Sequence, residues 1–255
     1  MLKTQIIRFP SLPSTNLEAS RQAIEGASEG LCIVADEQTA GRGRMERQWI
    51  SPPGAGLYFS IVLRPTLEQT SWPLLTLMAA VAVHDALLES CDLVTDIKWP
   101  NDILADEKKL CGILAETVDT RIGRAVVLGI GVNLNHSSFP AELASTATSV
   151  EVVTGASPDR QRVIEVLTRL LAVGYQEMQT SRGPATIIRE WSSRSTYAKG
   201  KRVRVTGVDE SVEGVTRGLA GDGGLLIETD DGEIKTIRAG DVTSVRPAVA
   251  LDVDR

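Results

Sequence analysis

Apolar positions along the chain follow two rhythms, and the texture changes near residue 198. After Pro13 the polar triplet Ser14-Thr15-Asn16 leads into LEASRQAIE, and the capping-box spacing of Thr15 and Glu18 predicts a helix starting there. CIVADE (32–37) and LYFSIVLRP (57–65) read as short strands on either side of a polar loop. From Pro73 to about Glu89 the chain is apolar nearly all round, which predicts a buried helix with Pro73 in its first turn. TDIKWPNDILADEKKLCGILAE (95–116) reads as a hairpin around the polar turn ADEK, with Pro100 holding the residue before it extended. AVVLGIGVNLN (125–135) is a further strand. Ser157-Pro158 opens an amphipathic helix to about Thr180, with Val163, Val166, Leu167, Leu170 and Leu171 on one side, and a shorter helix ends near Trp191.

Beyond residue 198 only short alternating runs remain: RVRVTGV, EGVTRGL, GLLIET and EIKTIR, separated by turns such as TDDGE. Regular short strands between glycine turns predict a small SH3-like β-barrel. The expected organisation is a domain over 1–198, a β-module over 199–246 and a loose tail over 247–255.

Composition narrows the function. The 255 residues are 42% hydrophobic and 24% charged, ordinary for a globular protein. A net charge of −6 argues against generic nucleic-acid binding, which favours a basic domain. Cys32, Cys91 and Cys111 lie far apart without a C-x-x-C pair, as expected in a reducing compartment. His84 and His136 form no H-E-x-x-H motif, so no histidine-based metal site is expected. The N-terminal apolar run is too short for a signal peptide, and Pro73–Val83 falls short of the ~20 residues of a membrane helix. A soluble, cytoplasmic protein without a membrane partner is therefore expected.

Against this acidic background, GRGRMERQW (41–49) gathers Arg42, Arg44 and Arg47 in one loop loosened by Gly41 and Gly43 and closed by Trp49. Freed backbone N–H groups and arginine forks make an anion clamp; a solvated turn between strands is the alternative. In GIGVNLN, strand parity puts Gly129, Gly131, Asn133 and Asn135 on one face and Leu128, Ile130, Val132 and Leu134 on the other. The glycine face suits either a flat ligand on bare backbone or a closely packed helix. Lys109 shares a face with Cys111, Ile113 and Ala115 by parity, which would hold its charge partly desolvated. Parity alone does not choose between Lys108 and Lys109. Asn101 and Asp102, after Trp99-Pro100, can orient a polar ligand and help hold a magnesium–phosphate complex, or can simply form a turn. No nucleophile with a base partner and no G-x-x-x-x-G-K-[ST] loop occurs. Such a set catalyses by positioning and charge stabilisation, and activation of a carboxylate by ATP fits it.

Taken together and in order, STN (14–16), QTAGRGR (38–44), Trp49, KWPNDI (98–103), KLCGIL (109–114), GIGVNLN (129–135), REW (189–191) and the terminal β-module resemble the biotin–protein ligase (biotin–[acetyl-CoA-carboxylase] ligase) family over essentially the whole chain. The resemblance implies an α+β fold: a mixed-sheet catalytic domain of the biotin/lipoate ligase type followed by the SH3-like barrel. It implies two half-reactions, in which biotin and magnesium-bound ATP form biotinyl-5′-adenylate and a lysine of a biotin carboxyl carrier protein then takes the biotinyl group. Carried over by motif, Ser14, Thr15, Asn16 and Gln38 would hold biotin, with Gly129 and Gly131 beneath it. Gly41, Arg42, Gly43 and Arg44 would fold over biotin and the phosphate, and Lys109 rather than Lys108 would contact both. Arg44 and Lys109 are then the catalytic pair. Arg47, Trp49, Asn101, Asp102 and Asn133 would line the nucleotide side, with Asp102 near any magnesium. Two departures stand out. Many members have glycine where this chain has Glu46, and the 13 residues before the STN motif are too few for the DNA-binding domain some members carry. No DNA partner is expected; monomer and homodimer both stay open. A lipoate ligase and a non-catalytic regulator are the rival readings.

Overall fold

Residues 2–207 and 211–244 are described by the computed structural model. The first part of the chain forms β1 (Gln5–Phe9), α1 (Thr15–Ile24), β2 (Leu31–Ala35), β3 (Gly56–Leu63), α2 (Leu74–Cys91), β4 (Asp96–Lys98), β5 (Asp102–Ala105), β6 (Lys108–Thr120), β7 (Gly123–Asn133), α3 (Val150–Thr154), α4 (Arg160–Met178) and α5 (Gly183–Ser193). Seven strands make one sheet in the order β1-β2-β3-β7-β6-β5-β4. Only β1 and β2 run parallel, so the sheet is mixed, as the resemblance implies. β1 was not expected. Its sequence QIIRF lies at the sheet edge and is only partly covered, so no clean alternation marks it.

β2 and β3 are buried along their whole length because α1 packs on one face and the main core with α2 and α4 lies on the other. α2 packs under the sheet with α4 and α5, and Leu74, Leu75, Met78 and Leu87 are fully enclosed. Burying each such side chain contributes about 1.5–3 kcal/mol. The Gln69–Cys91 run is longer than its sequence suggested and, by length and composition alone, could span a membrane. Most of it is instead buried within this core.

The capping details differ from expectation. α1 does start at the STN triplet, but no capping box forms. Ser14 is the N-cap without a side-chain bond, Glu18 turns to Arg21 and Gln22, and Thr15 turns inward. At α4 the cap is Asp159, whose carboxylate accepts from the Gln161 and Arg162 N–H groups at 2.9 and 3.2 Å.

A second, antiparallel sheet holds β8 (Lys199–Thr206), β9 (Ser211–Leu219), β10 (Leu225–Glu228), β11 (Ile234–Ile237) and β12 (Asp241–Ser244) in the order β11-β10-β9-β8-β12. The edge strands β11 and β12 do not pair among the described residues, so the expected barrel is an open sheet. The tail over 247–255 lies outside the described residues. The Trp99 indole N–H donates to Gly223 O at 3.0 Å and the Ser195 hydroxyl to Ile97 O at 2.5 Å, seating this sheet against the β4 end of the first.

Candidate active site

Three glycines make the floor: Gly129 and Gly131 on β7, and Gly112 on β6 paired with Gly131. Protein side chains lie directly on them. A Cβ at Gly129 would fall 2.1 Å from Asn16 Oδ1, one at Gly131 would fall 2.5 Å from Trp49 Nε1, and one at Gly112 would fall 3.1 Å from the same indole. Gly129 thus admits helix α1, while Gly131 and Gly112 admit Trp49. Of the two readings of the glycine face, close packing of a helix holds at Gly129, while the Trp49 indole lies over Gly131 and Gly112. Val132, Leu128 and Ile130 face the core, as parity required.

At the N-terminus of α1 the buried polar groups form one directed chain. Asn16 Nδ2 donates to Glu116 Oε2 at 2.8 Å and to Leu114 O at 3.3 Å, so its Oδ1 can only accept. Ser60 Oγ, fully buried, lies 2.6 Å from that oxygen and 2.8 Å from Thr15 Oγ1. One hydroxyl hydrogen cannot serve both at once; Asn16 Oδ1, which can only accept and lies closer, takes it, and the Thr15 hydroxyl has both Ser60 Oγ and, at 3.1 Å, Gln38 Oε1 as acceptors. Thr15 Oγ1 keeps lone pairs for the cleft. The Thr15 backbone N–H donates to Gln38 Oε1 at 2.8 Å, and Gln38 Nε2 donates to Ser51 Oγ at 2.8 Å. Sequence reading missed Ser60, Ser51 and Glu116, which sit in apolar or unremarkable contexts and matter only through these contacts.

The arginine loop is a short hairpin. Trp49 N–H bonds Gly41 O at 2.9 Å, Gly43 N–H bonds Arg47 O at 2.7 Å, and Arg47 N–H bonds Arg44 O at 3.1 Å. Met45 and Glu46 form its tip with φ of 53° and 59°, the geometry of a type I′ turn. Arg42 pairs with Glu116 at 2.8 Å. Arg44 donates to Asn101 Oδ1 at 3.0 Å and reaches Gly240 O, and Arg47 pairs with Asp241. Asp241 belongs to β12, so both arginines are held by the second sheet, a link no local motif signals. Gly41 does not line the cleft; a Cβ there would fall 2.3 Å from Trp49 O, so it closes the hairpin.

Glu46 is exposed, and neither loop arginine pairs with it. Its burden is the backbone: a left-handed conformation costs an ordinary residue about 1–2 kcal/mol, which glycine escapes. Glu46→Gly is therefore expected to favour the closed hairpin and slow adenylate release by less than about tenfold, since glycine also adds unfolded-loop freedom. Because the gain is conformational, it should persist at high salt. Stopped-flow release measured at two ionic strengths checks this, and faster release from the variant would contradict it.

Lys109 projects into the cleft for a reason different from parity. The β5–β6 register shifts between Ile103, opposite Cys111, and Leu104, opposite Lys109, leaving Leu110 as the extra residue of a β-bulge. The shift moves Lys109 off the face of Cys111, Ile113 and Ala115. Its Nζ would be 3.5 Å from a Cβ on Gly112, over the floor. It stands 2.6 Å from Asp102 Oδ1, as an ion pair without hydrogen-bond alignment, and 5.6 Å from the Trp49 ring centroid. Cys111, fully buried, has its thiol pushed well above the ordinary range by desolvation. Lys108 points away and donates to Ala144 O at 2.7 Å. Asn133 Nδ2 donates to Thr148 O at 3.0 Å.

These groups line one cleft of about 540 Å³. It brings together Ser14, Thr15, Asn16, Gln38, Arg42, Gly43, Arg44, Arg47, Trp49, Asn101, Asp102, Lys109, Gly129, Gly131 and Asn133, together with Lys98, Asp241 and the 138–147 segment that sequence reading left out.

Residues 8–133 match the model of the biotin/lipoate A/B protein ligase family, and residues 200–243 match the biotin protein ligase C-terminal domain. The chain is 39% identical over 250 residues to the bifunctional ligase/repressor BirA of Bacillus subtilis, covering 94% of this chain and 76% of that one. It is 34% identical to the biotin–[acetyl-CoA-carboxylase] ligase of Mycobacterium tuberculosis, covering 91% and 86%. The structure of the Aquifex aeolicus biotin protein ligase in complex with biotin and ATP superposes with a TM-score of 0.84 at 30% identity, covering 96% of this chain and all of that one. With its polar pocket, cation cluster and arginine hairpin in one cleft, and relatives of this kind along nearly its full length, the chain belongs to the biotin protein ligase family.

Proposed function

We propose that this cleft makes biotinyl-5′-adenylate from biotin and ATP and then transfers biotin to a lysine of a biotin carboxyl carrier domain. One observation carries the reading. A pocket of neutral hydrogen-bonding groups at α1, against β7, and a cluster of cations around Lys109, over β5 and β6, line a single cleft. That spacing suits a ligand with a neutral polar head and a carboxylate tail brought against a phosphate.

Thr15 and Gln38 face the ureido ring, where Thr15 lone pairs accept a ring N–H and Ser14 offers a hydroxyl. The Trp49 indole N–H is buried with no partner among the described residues, and an orphan donor of this kind asks for a ligand acceptor. The carboxylate of biotin attacks the α-phosphorus of ATP. Charge accumulates on the phosphate oxygens, which Lys109 and Arg44 neutralise at fixed positions. The hairpin excludes water from the mixed anhydride. In the second half-reaction the carrier lysine attacks the biotinyl carbonyl and AMP leaves.

Magnesium would neutralise phosphate charge. Among the described residues no group of three or more metal-ligating side chains occurs. The donors therefore fit an ion brought in on the nucleotide, with Asp102 the carboxylate within reach, as magnesium sites commonly use one or two carboxylates plus phosphate.

The catalytic module is assigned to 1–198 and the β-module to 199–246, consistent with β8 beginning at Lys199. Cytoplasmic placement suits the three free cysteines and is checked by cell fractionation. No DNA partner is assigned to these residues; a gel shift on promoter DNA that survives ~150 mM salt would contradict that.

The deciding experiment is biotin-dependent exchange of labelled pyrophosphate into ATP. Exchange with biotin and none with lipoate is expected. Exchange with lipoate alone would move the activity to the neighbouring ligase class.

A further inference from the structure

The cations of the cleft are nearly all partnered. Arg42 has Glu116, Arg44 has Asn101, Arg47 has Asp241 and Lys109 has Asp102. Lys98 lines the same cleft, is half-buried, and makes no ion pair or hydrogen bond with any described residue. A partly desolvated ammonium without a partner is unfavourable unless a ligand supplies the negative charge. Burial pushes its pKa down; Asp102 opposes this, and the Lys109 ammonium adds to it.

Register fixes where Lys98 stands. It is paired with Asp102 across β4–β5, Asp102 with Gly112 across β5–β6, and Gly112 with Gly131 across β6–β7. Paired residues point to the same face, so these four form one row across the floor. With strands about 4.8 Å apart, Lys98 lies roughly 10 Å beyond Gly112. The hydrogen-bonding pocket lies at the opposite, β7 end of the row, at Asn16 and Gly129. Lys109 and Asp102 fall between.

This order has a chemical reading, which rests on the ligase assignment above. In a phosphoryl-centre displacement the attacking and leaving oxygens are roughly in line. A biotin carboxylate oxygen comes from the β7 side and forms the new bond to the α-phosphorus near Lys109. The bond from that phosphorus to the oxygen bridging to the β-phosphorus breaks, and its electron pair departs with pyrophosphate. The leaving group therefore emerges on the β4 side. We propose that Lys98 is a catalytic residue of the first half-reaction, holding the β- and γ-phosphates of ATP and stabilising pyrophosphate as it leaves.

The test compares Lys98→Met and Lys98→Arg in the full chain by three measurements. These are inhibition of adenylate formation by inorganic pyrophosphate, the KM for ATP, and transfer from chemically prepared biotinyl-adenylate to a carrier domain. Lys98→Met is expected to weaken pyrophosphate inhibition and raise the KM for ATP by roughly 10- to 100-fold, the loss of a charge-assisted contact. Lys98→Arg should recover most of it. Transfer from the prepared adenylate involves no pyrophosphate and should stay near the wild-type rate. Calorimetric biotin binding certifies that each variant is folded, and Lys98→Gln replaces the methionine variant if that one is not. Equal losses in both half-reactions, or unchanged inhibition by pyrophosphate, would overturn the proposal. A wild-type chain without biotin-dependent exchange would instead overturn the ligase reading itself.

Discussion

Lys109→Ala is expected to slow adenylate formation by roughly 10- to 150-fold, while Lys108→Ala leaves it close to wild type. Two losses combine at Lys109. The phosphate loses a charge-assisted contact, and Asp102 loses the ammonium 2.6 Å away, so an unscreened carboxylate then faces an incoming polyanion. The lysine is also well held. Its backbone N–H donates to Thr146 O at 2.8 Å and its carbonyl accepts from Thr148 N–H at 2.9 Å, so the bulge is fixed from both sides. Lys108 shares none of this, since its ammonium is bound to a carbonyl outside the cleft. Quenched-flow single turnovers of both variants would decide the matter. Equal losses at the two positions would mean that the bulge does not orient the chain as described.

Gly129→Ala is expected to weaken biotin binding by at least roughly 30-fold, about 2 kcal/mol. Its new methyl would fall 2.1 Å from Asn16 Oδ1, and that amide is not a loose end able to swing aside. Ser60 and Glu116 hold it at 2.6 and 2.8 Å. Moving it strands the fully buried Ser60 hydroxyl, at a cost of about 1–3 kcal/mol, and breaks the bond to the half-buried Glu116. The same displacement releases Ser60 and hence Thr15, so the acceptor that Thr15 turns to the ligand is misplaced as well. Calorimetry of a double-mutant cycle isolates this route. On an Asn16→Ala background the three atoms nearest that methyl are gone, and Gly129→Ala should add little further loss. Fully additive losses would show that the glycine acts by some route other than Asn16.

Much of this site was legible in the chain because it is written in local patterns. The alternation of GIGVNLN separates floor from core without reference to anything distant, and Leu128, Ile130 and Val132 are indeed buried. The glycines and arginines of residues 41–47 signal an anion-binding loop for reasons internal to those residues. What stayed hidden depends on pairing. A bulge is a mismatch of count between two strands, and neither Ile103-Leu104 nor Leu110-Cys111 reveals it alone, so the parity of Lys109 was misjudged. The Thr15–Glu18 capping box has the right spacing, but Ser60 draws the threonine inward and Arg21 draws the glutamate outward. Trp49 closes the loop motif in sequence, yet only the fold lays it across Gly112 and Gly131. Lys98 stands inside a recognised motif. Its significance comes from having no partner, which a sequence cannot display.

The ion pair between Arg47 and Asp241 joins residues 194 positions apart. Synthesis runs from the N-terminus at about 5–20 residues per second. The arginine hairpin therefore leaves the ribosome well before the strand that steadies it. By residue 133 the residues of the glycine floor and of the α1 pocket have all been made, while Arg47 still awaits its carboxylate. A chain broken off before residue 241 stays in that condition. The hold on Arg47 thus depends on translation reaching the last strand of the second sheet, and interrupted products lack it.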